Sequence, residues 1–304
     1  MPYTTSNGVR LYCEEAGRGT PIVFVHEFSG DFRSWEAQMR YFSRRYRCIA
    51  FNARGYPPSE VPASPSKYSH AIATDDIANV MRRLGIGKAH IIGCSMGAYA
   101  TLQFGLRYPR RALSLTAIGA GAGSDPARRA QFLRSRVAME RMFREQGMGA
   151  AAKVLQRGAH RIQLGNKDPR GFREFWAHFV EGSALGHALT LRGVQSRRPT
   201  IYSLERRFAH MNVPTHIVVG DEDESALGPG LFIKRACPAA RLTIVPATGH
   251  LASVEEPDFF NRITDEFLAL VDSGSWRPRD PRSYNPSTMA GKTVTDKARL
   301  MRRD

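Results

Sequence analysis

The feature that most restricts the fold of this chain is an alternation of short apolar runs with amphipathic helical stretches. Apolar runs typical of buried strands lie at 21–26, 47–52, 89–93 and 113–118, and again at 215–219 and 241–245. Helical patterns lie between and after them, at 32–44, 71–84, 96–108, 229–236 and 255–271. This order predicts βαβ units, and therefore an α/β fold with a mostly parallel central sheet and helices on both faces.

Two segments depart from this alternation. At the start, residues 2–5 and 9–15 flank Asn7-Gly8, a two-residue turn signal that predicts a β-hairpin. Residues 124–212 are helical in pattern and rich in arginine, with no clear strand. A helical insert between two parallel strands of one sheet predicts a cap. The predicted organisation is a core of residues 1–123 and 213–272, a cap of 124–212, and a basic, Pro- and Arg-rich C-terminal tail of 273–304.

Composition is that of a globular protein, with 42% hydrophobic and 10% aromatic residues in 304. No apolar run approaches the roughly 18 residues that span a membrane, and the first residues lack the pattern of a signal peptide. We therefore expect a cytoplasmic protein without a membrane partner. The cysteines lack metal-ligand spacing and are expected to be free, buried side chains: Cys13, Cys48, Cys94 and Cys237.

The net charge of +16 is concentrated in the predicted cap and tail. The cap alone holds 17 lysines and arginines against 7 acidic residues. If some of this charge faces the active site, it would attract an anionic substrate; the alternative is a solvent-facing coat. The candidate contributors are Arg128, Arg129, Arg134, Arg136, Arg161 and Arg173. No nucleic-acid recognition motif accompanies the charge, so we expect no nucleic-acid partner.

The sequence Gly93-Cys94-Ser95-Met96-Gly97 directly follows a predicted strand and opens a predicted helix. This is the setting of a nucleophile elbow, where a strained turn exposes a serine and flanking side chains would clash. A serine hydroxyl needs a base. His250 follows strand 241–245 at the carboxyl edge of the sheet, where α/β folds bind ligands. His26 is interpreted as structural. Four histidines lie in the predicted cap, and no motif assigns them to the active site. Most are interpreted as surface or packing residues: His160, His178, His187 and His210.

The base needs an orienting carboxylate, and four acidic residues follow strand 215–219, at positions 221–224. From position alone any of them can serve, and the others would form a solvated acidic loop. The resulting chain order of serine, acid and histidine is the order typical of hydrolases that carry a nucleophile elbow.

Taken together, these motifs resemble the α/β-hydrolase fold family over residues 1–272. Five segments carry the resemblance: Val25-His26-Glu27-Phe28, Asn52 to Ser59, Gly93 to Gly97, Gly220 to Asp223, and Gly249-His250. The resemblance implies that Asp223 rather than Asp221 is the acid. It also implies an oxyanion hole formed by the backbone N–H groups of Phe28 and Met96.

Three positions depart from the family pattern. Glu27 stands where the family usually has glycine, Asn52 replaces an aspartate, and Pro57-Pro58 stiffens a loop that normally contains glycine. The first departure bears on chemistry, because a carboxylate beside an oxyanion hole opposes the developing negative charge unless it points away or is paired.

The predicted function is a serine hydrolase that cleaves a small or medium carboxylic ester or a lactone through Ser95, Asp223 and His250. No metal or organic cofactor is expected, and the partner is a small-molecule substrate, with an anionic one as an option. Alternatives within the family are a carbon–carbon bond hydrolase and an enol-lactonase of aromatic catabolism. A ligand receptor with little turnover is the alternative from another class. The substrate and the oligomeric state, including a homo-oligomer, stay open.

Overall fold

An eight-stranded sheet forms the centre of the protein in the computed structural model, which describes residues 2–284. Its strands are β1 Tyr3–Ser6, β2 Val9–Ala16, β3 Pro21–Val25, β4 Arg47–Phe51, β5 Ala89–Cys94, β6 Ala112–Ile118, β7 Thr215–Gly220 and β8 Ala240–Val245. Their order across the sheet is β1-β2-β4-β3-β5-β6-β7-β8. β1 and β2 form the antiparallel hairpin, β2 also pairs antiparallel with β4, and all other pairs are parallel.

Helices pack on both faces of this sheet. They are α1 Glu36–Phe42, α2 His70–Arg83, α3 Met96–Arg107, α4 Arg129–Leu155, α5 Ile162–Lys167, α6 Pro169–Val180, α7 Ala184–Thr190, α8 Glu205–Ala209, α9 Glu224–Ala236, α10 Ala252–Glu255 and α11 Pro257–Asp272. Successive residues of β3 show the two faces. Phe24 packs in one apolar cluster with Phe42 and Phe260, while Val23 packs in the other with Ile77 and Leu102. The predicted α/β fold with a mostly parallel sheet is confirmed.

Two helix boundaries differ from the predicted ones. The stretch predicted as a helix over 32–44 divides into a 3₁₀ turn, Phe32–Trp35, and α1. The helix predicted near 229–236 starts earlier, at Glu224, so Pro229 lies inside α9. Proline is favoured in the first turn of a helix and disfavoured in its interior, so Pro229 within α9 is an exception to the local preference. In the structure, α9 begins at Glu224, immediately after Asp223 in the chain.

The stretch between β6 and β7 contains α4 to α8, and within it the structure has no strand. α4 is interrupted at Gly147, whose φ of 77° is not helical. Another glycine of this stretch, Gly186 in α7, lies against the backbone of Gly55. A Cβ at position 186 would come within 1.9 Å of the Gly55 carbonyl oxygen, so this contact requires glycine.

The beginning of the predicted tail packs against the sheet edge formed by β8. The Trp276 ring lies 5.0 Å from that of Phe267, with the guanidinium of Arg241 4.2 Å from its centre. The Arg279 N–H donates to the Pro238 carbonyl at 2.8 Å. The rest of the predicted tail, 285–304, lies outside the described residues. In the part that is described, no helix is both long and apolar enough to cross a membrane, and all four cysteines are buried and unpaired.

Candidate active site

Ser95 occupies the tight turn between β5 and α3. Its φ of 53° and ψ of −107° are strained for a residue with a side chain, and such strain is typical of functional turns. The flanking glycines are required by close packing. A Cβ on Gly97 would lie 2.1 Å from the Val25 carbonyl oxygen, and one on Gly93 would lie 2.4 Å from that of Gly97. The backbone N–H of Ser95 donates to the Ile118 carbonyl at 2.7 Å, which ties the turn to the end of β6.

His250 and Asp223 form a hydrogen-bonded pair next to this turn. His250 Nδ1 donates to Asp223 Oδ2 at 2.5 Å, and both side chains are buried. Burial by itself lowers the pKa of His250, but the charge and hydrogen bond of Asp223 outweigh it and raise that pKa above its ordinary value. Burial likewise acts to raise the pKa of Asp223, and the opposing effect of His250 leaves it lowered. The pair therefore favours a charged imidazolium opposite a carboxylate.

The neighbours of Ser95 place the pair beside it. Cys94 Sγ lies 3.9 Å from the His250 carbonyl oxygen. Gly119 follows Ile118, the residue that accepts the Ser95 hydrogen bond. A Cβ on Gly119 would be 3.0 Å from His250 Nδ1 and 3.2 Å from Asp223 Oδ2. The loops after β5, β6, β7 and β8 thus converge at the carboxyl edge of the sheet, where the sequence predicted the site.

Asp221 has a different role from Asp223. It is exposed, and its Oδ1 accepts the backbone N–H of Thr248 at 3.0 Å. Hydrogen bonds from backbone N–H groups, that of Thr248 first, lower its pKa. Glu222 is also exposed and accepts from Gln163 at 2.6 Å. Asp223 is the acidic residue of this loop that contacts His250, which agrees with the acid that the family resemblance implied.

The segment after β3 lies against the elbow. His26 Nδ1 donates to the Glu27 carbonyl at 2.7 Å, and the Ala53 N–H donates to His26 Nε2 at 3.0 Å. Burial lowers the pKa of His26, and both of its ring nitrogens are hydrogen-bonded to the backbone, which is compatible with the structural role expected for it. Phe28 and Met96 are both buried, and among residues 2–284 neither backbone N–H donates to a backbone carbonyl outside the helices and strands. Met96 is also the first residue of α3, where backbone N–H groups have no partner within the helix.

The departures at Glu27 and Asn52 have physical explanations. Glu27 is buried, and both of its carboxylate oxygens lie 3.2 Å from Arg161 Nη2. The N–H of Ser29 also donates to it at 2.7 Å. Its charge is therefore paired. Asn52 Oδ1 accepts from the Phe32 N–H at 2.7 Å, and its Nδ2 donates to the Pro57 carbonyl at 2.8 Å. An ionised aspartate could not donate the second bond.

His160 is a site residue that the sequence did not reveal. It lies in the short turn Ala159–Arg161, ahead of α5. Its ring centre is 5.2 Å from that of His250, and its Nδ1 is 3.6 Å from Asp223 Oδ1. Its side chain is 46% exposed, and partial desolvation beside the pair, followed by the charge of His250, lowers its pKa. No motif marks this position, because the contact arises only when the helical segment folds over the loop.

These three residues also have the spacing of a metal site. Within the described part of the chain, the ligand atoms of His160, Asp223 and His250 all lie within 4.8 Å of one another. In the structure, however, His250 Nδ1 and Asp223 Oδ2 are already joined by a hydrogen bond of 2.5 Å. We interpret the group as an acid–base site.

The arginines proposed from the sequence divide into three groups. Arg128, Arg134 and Arg173 are exposed, Arg161 is buried and paired with Glu27, and Arg129 and Arg136 are partly buried. The exposed group has the solvent-facing position of a surface coat.

Comparison with known proteins identifies the family of this chain. The sequence profile of the alpha/beta hydrolase fold family matches residues 20–257, and the chain belongs to this family. A protein of Bacillus subtilis (strain 168), provisionally named 2-succinyl-6-hydroxy-2,4-cyclohexadiene-1-carboxylate synthase, is 27% identical over 278 residues, which are 88% of this chain and 98% of that protein. The 2-hydroxy-6-oxononadienedioate/2-hydroxy-6-oxononatrienedioate hydrolase of Comamonas testosteroni is 24% identical over 265 residues, 86% of this chain and 91% of that protein.

A solved structure has the same fold. The enol-lactonase from Burkholderia xenovorans LB400 superposes with a TM-score of 0.76 at 22% identity, covering 88% of this chain and 100% of that one. With these relatives, the protein is an enzyme of the hydrolase class.

Proposed function

We propose that this hydrolase cleaves a carboxylic ester or a lactone through a covalent acyl-enzyme on Ser95. The observation that carries the proposal is the buried hydrogen bond between His250 Nδ1 and Asp223 Oδ2, which lies beside the strained turn of Ser95. A serine in such a turn, next to a histidine oriented by a carboxylate, is the arrangement of a nucleophile with its base.

In the proposed mechanism, His250 Nε2 removes the proton from Ser95 Oγ as the oxygen attacks the substrate carbonyl carbon. The carbonyl oxygen becomes an oxyanion, which accepts hydrogen bonds from the N–H groups of Phe28 and Met96. His250 then returns the proton to the leaving alkoxide, and the acyl-enzyme remains. Water, deprotonated by the same histidine, attacks this ester. The bond to Ser95 Oγ then breaks, His250 returns the proton to that oxygen, and the carboxylic acid is released. Asp223 holds Nδ1–H and stabilises the imidazolium in both steps.

We also propose that residues 124–212 form a cap over this site. Two adjacent residues of the segment support it. His160 contacts the Asp223–His250 pair, and Arg161 contacts Glu27 beside Phe28. The segment therefore touches both the acid–base side and the oxyanion side, and its side chains would select the substrate.

The test is Ser95→Ala. Turnover of a 4-nitrophenyl ester should fall by several orders of magnitude with the fold retained, since alanine fits the turn and the oxyanion hole keeps a residual activity. A fluorophosphonate should label wild-type Ser95 stoichiometrically and leave Ser95→Ala unlabelled. A stoichiometric adduct on another residue contradicts the assignment of Ser95 as the nucleophile. If the protein binds ligands but turns over no substrate, it is a receptor and not a hydrolase.

A second candidate is hydrolysis of a carbon–carbon bond in a diketone acid, and the match to the Comamonas testosteroni hydrolase favours it. The two candidates use the same serine and differ in the leaving group, which is an alkoxide or a carbanion. Purified protein assayed on esters, lactones and a vinylogous 1,5-diketone acid separates them, since the bond cleaved at the highest kcat/KM identifies the reaction.

A further inference from the structure

The buried pair of Asp223 and His250 is covered by a side chain of the cap segment. The pair lies at the sheet edge, yet the two side chains are only 0% and 7% exposed. The His160 ring contacts both of them. Its centre is 5.2 Å from that of His250, at an interplanar angle of 43°, and its Nδ1 is 3.6 Å from Asp223 Oδ1. Part of His160 faces solvent, since its side chain is 46% exposed. The ring therefore covers one side of the pair.

The contact of His160 with Asp223 is not a hydrogen bond. Its 3.6 Å is longer than the N–H···O distances of about 2.7–3.2 Å that hydrogen bonds have. The oxygen concerned, Asp223 Oδ1, accepts instead from Ser225 Oγ at 2.8 Å. The distance between the rings of His160 and His250, by contrast, lies in the range of about 4.5–7 Å that packed aromatic rings prefer. His160 therefore acts on the pair by packing.

Contacts of the neighbouring residues keep His160 in this place. We call residues 159–167, which comprise the short turn Ala159–Arg161 and α5, the clasp. Three of its side chains bind the loops that carry Phe28, the acid and the base: Arg161 contacts Glu27 at 3.2 Å, Gln163 contacts Glu222 at 2.6 Å, and Lys167 contacts Thr248 at 3.3 Å. The backbone of His160 also touches the loop of the base, since a Cβ on Gly249 would lie 3.3 Å from the His160 carbonyl oxygen. The clasp is thus attached to the loops on which the pair lies.

Covering the pair strengthens the interaction that the base needs. The attraction between the Asp223 carboxylate and the His250 imidazolium grows when water is excluded, because the effective dielectric constant falls. Desolvation beside the pair, followed by the charge of His250, lowers the pKa of His160. His160 is therefore neutral when the imidazolium forms, and it adds no repulsive charge. Its ring also restricts rotation of the His250 ring out of the hydrogen bond to Asp223.

We infer that His160 is a positioning residue for the proposed base: held by the clasp, it covers the Asp223–His250 pair and keeps the imidazole in its hydrogen bond to Asp223. It acts through these two residues and exchanges no proton with the substrate. The inference rests on the proposed function for the roles of Ser95, Asp223 and His250. It gives the cap segment a part in the chemical step, in addition to the selection of the substrate.

The test replaces His160 and follows the hydrolysis of a 4-nitrophenyl ester. His160→Ala should lower kcat about tenfold, because a hydrogen bond to a charged group is weakened. KM should stay within about twofold of wild type, since His250 serves acylation and deacylation alike and both steps slow together. His160→Phe keeps an aromatic ring over the pair and should recover most of kcat. His160→Asn keeps an N–H near Asp223 but no ring, and should not recover it. His210→Ala, at an exposed histidine of the same segment, is the matched control and should leave both constants unchanged.

Proton exchange supplies a readout that does not need turnover. In protein with isotope-labelled histidine, the Nδ1–H proton of His250 gives a resonance that is identified by its loss in His250→Gln. The cover should protect this proton from water in wild type. In His160→Ala it should exchange at least about tenfold faster, and in His160→Phe it should be protected again.

An unchanged kcat in His160→Ala overturns the inference, and so does a loss confined to KM, which would make His160 a substrate contact. Recovery by His160→Asn but not by His160→Phe also overturns it, because the N–H and not the ring would then be required. If wild type hydrolyses no ester, the proposed function fails, while the exchange of the His250 proton still decides the role of His160. A proton that exchanges equally fast in wild type and in His160→Ala overturns the inference.

Discussion

Arg161→Met tests whether the ion pair between Glu27 and Arg161 supports both the fold and the chemistry. The two side chains are 3% and 8% exposed, and Arg161 Nη2 lies 3.2 Å from both Glu27 oxygens and from Ser29 Oγ. Methionine keeps much of the side-chain volume against Phe175, whose ring centre is 5.3 Å from the guanidinium carbon. It removes the charge and leaves the Glu27 carboxylate buried without its cation.

The burial of this ion pair determines how much stability Arg161→Met should lose. Breaking a buried pair by removing one partner costs about 3–5 kcal/mol, because the remaining charge is left uncompensated. We expect the free energy of unfolding of Arg161→Met to fall by about this amount. Glu27→Gln/Arg161→Met should lose less than the sum of its single changes, with a coupling energy of about 0.5–3 kcal/mol, since it leaves no unpaired charge.

The effect on catalysis should be asymmetric. In Arg161→Met the unpaired carboxylate precedes Phe28 and opposes the oxyanion, so kcat should fall on the order of tenfold, equivalent to 1.4 kcal/mol of transition-state stabilisation. In Glu27→Gln no negative charge remains, and kcat should be higher than in Arg161→Met despite a similar loss of stability.

Urea unfolding followed by circular dichroism measures the stabilities, and 4-nitrophenyl ester hydrolysis well below the unfolding midpoint measures kcat. Exposed ion pairs contribute less than about 1 kcal/mol to stability. If the free energy of unfolding of Arg161→Met falls by no more than this, the argument that the pair is buried is refuted. Equal kcat values in the two single variants would refute the electrostatic role beside the oxyanion hole.

Two further predictions concern the acid and the base. Asp223→Asn should lower kcat on the order of 10⁴-fold, as in the serine-protease template, while Asp221→Asn should cost about tenfold at most. The reason is that Asp221 holds the Thr248 N–H rather than His250; equal losses would show that the wrong acid was chosen. In wild type, kcat/KM should rise with pH as His250 becomes neutral and able to accept a proton, with a midpoint above the ordinary 6.5 because Asp223 raises the pKa. Asp223→Asn removes the charge that raises this pKa against the effect of burial, so the midpoint of the residual activity should move to lower pH, and an unmoved midpoint would refute the role of this pair.

Much of the fold was predictable from local patterns. The strands β3 to β8 lie within a residue or two of the apolar runs, because a strand buried on both faces has a continuous apolar sequence. The elbow was equally visible, since the glycines on either side of Ser95 meet a steric requirement of one short turn. The edge at which an acid of 221–224 meets His250 was predictable because the carboxyl ends of parallel strands lie together. The choice of Asp223 among these acids came from the family resemblance.

What the sequence determined by itself was therefore the local part of this protein: the strands, the turn of Ser95, and the edge at which Asp223 and His250 meet. Only the tertiary structure decided how the cap segment meets that edge. Glu27 and Arg161 are 134 positions apart, and neither His160 nor Arg136 belongs to a motif. The helices of residues 124–212 carry both exposed and buried arginines. The sequence pattern therefore does not show which of these arginines become buried. The packing of this segment on the sheet edge determines which charged side chains are buried and which residues they contact.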